Sequence, residues 1–269
     1  MITATDVTPG SVNEAHRLAF LIDEHRRTTG RTAKTVVADS KYGTIDNFLE
    51  CYDRGIKGHM PSLEKTGRCK DIFQKEDFQY HPDTDTFTCP SGKTLRRRKL
   101  ITSRNHYEYI APKKACNRCN MKTKCTKAKS GRTLKRHLRQ NALDVMYEIA
   151  GSSRSRRDIR TRKHLMERSF ARATQYGFKR ARWRRLWRVQ IQEYLTSTIQ
   201  NIKILVKNTI KPAAAVSMTH KGKNTRVLHH NSRNTDHSMP MNRAISFIRN
   251  RSRWLLFFIG YDGFGQQSV

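Results

Sequence analysis

The stretch Thr32–Pro61 constrains the fold more than any other part of the chain. Thr32–Ala38 (TAKTVVA) is a β-branched run that reads as a buried strand. Asp39 stands directly at its C-terminal end. Thr44 suits a helix N-cap, and Ile45, Phe48, Leu49 and Tyr52 follow at i, i+3, i+4, i+7 spacing, an apolar stripe for packing on a sheet. Gly55 fits the helix stop, and Ile56–Met60 returns as a second strand. A strand–helix–strand unit of this kind predicts an α/β domain.

Charge divides the chain. Residues 1–60 hold eight Lys/Arg and eight Asp/Glu, whereas the whole chain of 269 residues carries a formal net charge of +32. All of that excess lies after residue 60. It predicts a polyanionic partner, with nucleic acid as the first candidate. A basic binding protein without chemistry of its own fits the charge equally well. Met1–Glu14 lacks the basic start and apolar run of a signal peptide. The longest apolar run, Trp254–Ile259, falls far short of the roughly 18 residues of a membrane span. An intracellular location is expected, with the six cysteines as thiols or metal ligands rather than disulfides.

Four regions follow from the texture of the sequence: 1–61 as the start of the α/β part, 62–150 as a β-rich Cys-containing insertion, 151–210 as helices, and 211–269 as a poorly defined basic tail. Within the insertion, Phe78–Tyr80 and Thr86–Cys89 flank the turn-rich His81–Asp85 and predict a hairpin. Thr94–Ile101 and His106–Ala111 alternate as strands. Helices are expected near Leu18–Glu24, from near Ala142, over Arg156–Tyr176, and over Arg188–Lys207. The last has Ile191, Leu195, Thr198, Ile202 and Leu205 along one face. Lys211–Pro240 reads as loop, and Ile245–Ile259 alternates basic and apolar residues.

Three segments together resemble one family. They are Val36–Pro61; Cys89-Pro90-Ser91-Gly92-Lys93-Thr94-Leu95 with Cys116-x2-Cys119-x5-Cys125; and Ile159–Leu205. In this order they are similar to bacterial insertion-sequence transposases with a ribonuclease H-like DDE domain, of the subgroup in which a cysteine-bearing β insertion separates the second and third carboxylates. The resemblance implies a ribonuclease H-like core and Mg²⁺-dependent DNA end cleavage and strand transfer. It assigns Asp39 and Glu167 as the second and third catalytic, metal-binding carboxylates. The first Asp would precede the segment matching Met1–Gly10, and neither Asp6 nor Asp23 fits its place. The resemblance therefore implies an N-terminally truncated chain, inactive alone, that retains DNA binding. It also implies a prokaryotic, nucleoid-associated protein, with DNA, a homodimer or a full-length transposase as partners and no membrane.

In that chemistry two divalent ions about 3.5–4 Å apart activate the incoming oxygen and stabilise the leaving one. Mg²⁺ takes carboxylate, water and phosphate oxygens, which is what Asp39 and Glu167 offer. Each has a plainer use: Asp39 can cap the following turn, and Glu167 can pair with Lys163 one turn away. Lys163 is also placed to meet a phosphate. Arg168, Arg172, Lys179, Arg180, Arg182, Arg184 and Arg185 form the expected DNA-binding surface. Trp183 and Trp187 interleave with them, either to stack on bases or to pack on the domain. Related transposases carry Tyr, Arg and a basic residue two turns before, one turn before and two turns after this Glu. Arg160, Lys163 and Thr174 stand there instead.

Cys89, Cys116, Cys119 and Cys125 offer four thiolates for a structural Zn²⁺, with an iron–sulfur cluster or bare thiols as the other readings. Cys51 reads as a core residue and Cys69 as a loop thiol. The competing function is a non-catalytic, zinc-stapled nucleic-acid-binding protein or a regulator of transposition.

Overall fold

The computed structural model describes residues 1–63, 72–177 and 180–209, and the backbone of 243–250 and 253–260. Two units emerge, residues 1–61 with 149–269, and residues 62–148.

The first unit is α/β. Strand β1 (Ile2–Val7) leads through a 3-10 turn at Glu14–Arg17 into α1 (Leu18–Thr29). Strand β2 (Thr35–Val37) is buried along its whole length and carries Asp39 just past its end. Helix α2 (Ile45–Asp53) starts at Thr44, whose hydroxyl accepts the Asn47 N–H, and β3 (Lys57–His59) runs parallel to β2. Gly55 makes the return with φ +65, a left-handed conformation that a side chain would strain. The buried face of α2 is Asn47, Phe48, Leu49 and Cys51, while Tyr52 is exposed. The stripe is thus turned relative to the sequence expectation. Asn47 accounts for the turn, because its amide donates to the carbonyls of Ala15 and Tyr42 and so gains from burial.

Two long helices complete this unit's helical part. Helix α6 (Ser153–Gln175) begins at Ser152, whose hydroxyl accepts the Ser155 N–H, and buries Leu165, Met166, Ser169 and Ala173. Leu165 and Ile159 pack on Val37, and Met166 and Phe170 on Ile2. Helix α7 (Leu186–Thr209) is inverted in polarity. Besides Val189 it buries Gln192, Glu193, Thr196, Ser197 and Gln200, whereas Trp187 and Leu195 are 55% and 56% exposed. Hydrogen bonds explain the inversion. Asn201 grips the Ile2 backbone, its Oδ1 accepting the N–H at 2.6 Å and its Nδ2 donating to the carbonyl at 2.7 Å. Gln190 donates to Thr5 Oγ1, and Ser169 donates to Gln200 across the two helices. Amides of α7 thereby cover the free edge of β1, the position at which an open strand invites foreign pairing.

The sheet order is β1-β9-β10-β2-β3, where β9 (Arg243–Asn250) and β10 (Arg253–Gly260) come from the C-terminal tail. β9 is parallel to β1, β10 is antiparallel to β9, and β10 is antiparallel to β2, with Phe258 opposite Val37. The tail read as poorly defined in the sequence thus supplies the sheet's middle. The expected loop Lys211–Pro240 lies outside the described residues, as does Cys69.

The second unit is an antiparallel meander of β4 (Gln79–His81), β5 (Thr86–Thr88), β6 (Thr94–Ile101), β7 (His106–Ile110) and β8 (Thr133–His137). Between β7 and β8 stand two short helices, α3 (Lys113–Asn117) and α4 (Lys122–Cys125); α5 (Gln140–Gly151) follows β8. The core is small: Phe78, Phe87, Leu95, Tyr109, Ala111 and Leu134. Phe87 and Tyr109 meet edge to face at 4.9 Å. Asp85 in the β4–β5 turn accepts from both Tyr80 and Tyr109, tying the turn to the core.

Candidate functional site

Asp39 is held by two features of its own segment. It caps the 3-10 turn Ser40–Tyr42, with Oδ1 accepting the Lys41 N–H at 3.0 Å. The Ala38 N–H donates to the His59 carbonyl, which fixes the end of β2 against β3. The side chain is partly exposed.

Beside it lies Tyr42, fully buried. Burial pushes the Tyr42 phenol far above its ordinary range; the charges of Asp39, Glu14 and Asp6 push the same way, and Arg162 opposes them. Arg162 is the residue of α6 that acts on Asp39. Burial lowers the guanidinium's pKa, and the negative Asp39 and the Tyr42 phenol hold it up. Arg162 belongs to the inward stripe of α6 with Ile159, Leu165, Ser169 and Ala173. The sequence does not single it out among the eleven arginines between Gly151 and Arg188, because its role is set by Asp39 and Tyr42 of another segment.

The three carboxylates whose charge Tyr42 feels each have a cationic or N–H partner. Arg17 Nε meets Asp6 at 2.6 Å, Lys41 Nζ meets Glu14 at 2.6 Å, and Asp39 takes the Lys41 N–H. Glu167 lies on the exposed side of α6 and makes no salt bridge among the described residues, so it does not pair with Lys163. No group of three or more His, Cys, Asp or Glu that could hold a metal stands together among the described residues.

The structure also places a buried histidine in a hydrogen bond that the sequence did not suggest. His59 is 2% exposed, and its Nδ1 lies 2.8 Å from Asp158 of α6. Burial lowers the His59 pKa more than Asp158 raises it, so the imidazole is held toward the neutral form.

The cationic residues present one ordered surface. Arg156, Arg160, Lys163 and Glu167 recur at i, i+4, i+7 and i+11, a single line on the solvent side of α6, with Arg168 adjoining it. Arg172 is half-buried. Lys179 lies outside the described residues. Arg180, Arg182, Arg184 and Arg185 are exposed in the segment before α7. Gln192 shapes that segment: its Oε1 accepts the Arg182 N–H at 3.0 Å and its Nε2 donates to the Arg180 carbonyl. Arg185 has φ +72, an uncommon conformation for a residue with a side chain, and its carbonyl accepts the Val189 N–H to open α7. Trp183 and Trp187 are both about half exposed.

Cys89, Cys116, Cys119 and Cys125 line one cavity of the second unit, near Phe73 and Ala111. All are free thiols. The Ser91 hydroxyl and the Met121 N–H lower the Cys119 pKa, whereas burial raises that of Cys125. Cys51 is a core residue, its thiol pushed up to about 12 by burial. No helix among the described residues is long and apolar enough to cross a membrane.

Residues 88–206 match the family model described as transposase DDE domain. No curated protein and no solved structure matches the chain.

Proposed function

We propose that this chain, which over residues 88–206 belongs to the DDE-domain transposases, is the DNA-holding part of such an enzyme and does not cut DNA by itself. Nuclease and strand-transfer chemistry on DNA is the business of that family. The observation that carries the reading is the matched segment's own surface, where Glu167 sits at the end of a line of cations on α6. In this reading the unit that carries β2 and α6 is a ribonuclease H-like core, Asp39 and Glu167 are two of its three metal-binding carboxylates, and Mg²⁺ acts only in an assembly that adds the third. Asp6 and Glu14 are each engaged by a cation, Arg17 and Lys41, in keeping with that division of labour. Arg156, Arg160, Lys163 and Arg168 contact phosphates, and the Arg180–Arg185 segment extends the same footprint.

Fluorescence anisotropy with a labelled duplex, run beside a Mg²⁺-dependent cleavage assay on the same DNA, tests both halves. Salt-sensitive binding without cleavage is expected. Absent binding at low salt would remove the DNA-holding role, and cleavage abolished by Asp39→Asn would show that the chain completes its own metal site.

A further inference from the structure

The second unit is under-stabilised by its apolar core alone. The meander's cluster has six buried side chains, and of the helical residues in 112–132 only Cys116 and Cys125 pack against it, both partly buried. Helices α3 and α4 have five and four residues, too short to persist without an external hold. The segment is also crowded with like charge, including Lys113, Lys114, Lys122 and Lys124.

We propose that Cys89, Cys116, Cys119 and Cys125 bind one zinc ion as thiolates and that this ion fastens the segment 112–132 to the meander. The four sulfurs come from three separate places in the chain and line one cavity. Two of those places are turns shaped to present sulfur. In the first, the Gly92 N–H donates to the Cys89 carbonyl at 2.8 Å with Gly92 at φ +74, and the Lys93 N–H then points at Cys89 Sγ, 3.3 Å away. In the second, the Cys119 N–H donates to the Cys116 carbonyl at 3.2 Å. Ser91 Oγ lies 3.1 Å from Cys119 Sγ and joins the two turns. Donors aimed at sulfur stabilise thiolate ligands from outside the coordination shell.

Cys125 is held from behind, its carbonyl accepting Arg132 Nη1 while Arg132 Nη2 donates to the Phe73 carbonyl. Gly131 leaves room for Cys116: a Cβ there would stand 3.3 Å from Cys116 Sγ and 3.1 Å from the Ala111 carbonyl oxygen, at φ +102. The sulfurs line the cavity without yet forming a cage, since no three of them stand close enough to hold an ion. Binding therefore draws the two turns inward and releases the thiol protons to solvent. A tetrathiolate site carries net negative charge, which the surrounding lysines favour.

The test uses the full chain purified under reducing conditions. Elemental analysis should find about one zinc per chain. Replacement by Co²⁺ should give the absorption of a tetrahedral tetrathiolate. Cys119→Ser and Cys125→Ser should each lose the metal, whereas Cys51→Ser and Cys69→Ser should keep it. If the serine variants do not fold, a chelator added to the native chain should still hasten proteolysis within 112–132. Less than about 0.2 zinc per chain, an iron chromophore in its place, or undiminished zinc in Cys119→Ser and Cys125→Ser would each overturn the assignment.

Discussion

Replacing Arg156, Arg160 and Lys163 with Gln removes three exposed cations from one line of α6 at little cost to helix propensity. The line spans seven residues, or about 10 Å of helix. Each phosphate contact to duplex DNA contributes about −0.9 to the slope of log affinity against log salt. The triple variant should therefore bind with a slope shallower by about 2.7. Over a fourfold change in salt, from about 50 to 200 mM, three contacts amount to roughly forty-fold of salt sensitivity. Anisotropy titrations at four salt concentrations measure both slopes, and circular dichroism checks that α6 persists. A slope unchanged within about 0.5, in a folded variant, would show that this face of α6 does not lie on phosphates.

Acid should destabilise the first unit in a defined window. Burial lowers the pKa of both His25 and His59 from the ordinary 6.5. The unfolded chain then binds more protons than the folded one below that pH, so stability falls as pH drops through 6.5 toward the folded values and is flat above about 7.5. The limit is about 1.4 kcal/mol per pH unit for each histidine, and His59→Gln should flatten the slope of urea midpoints against pH. Asn201→Ala removes both hydrogen bonds to the Ile2 backbone and should cost about 2 kcal/mol, read as a lower urea midpoint. Phe48→Ala empties a fully buried site on α2 and should cost about 3–5 kcal/mol by the same measurement.

Local patterning was legible where one face of an element meets the core. The β2–α2–β3 segment and the hairpins of the insertion follow from β-branched runs, turn residues and a Thr cap, because those signals act within a few residues. Strand β8 was not foreseen: only Leu134 of Thr133–His137 is buried, and pairing with β7 decides its conformation. Helix α7 was foreseen as a helix with an apolar face. Which face it buries depends on the backbone of β1, about 200 positions earlier in the chain. At the site, Asp39 could be picked out by its strand-end position. Arg162 and the His59–Asp158 pair could not, because each is defined by a neighbour from another element. The strand role of 243–260 is of the same kind, since alternating basic and apolar residues do not say which strands will receive them.

The C-terminal hairpin has a consequence for the order of events during synthesis. Val37 waits for Phe258, about 220 residues later, before β2 gains its neighbour on that side, and β1 waits for β9. At translation rates of about 5–20 residues per second, strands made early spend roughly 10–40 s with open edges. The 62–148 unit has all five of its strands in hand long before that and can fold on the ribosome. Nascent chains stalled before residue 243 should therefore protect the insertion from protease while leaving β1 and β2 open to capture by chaperones.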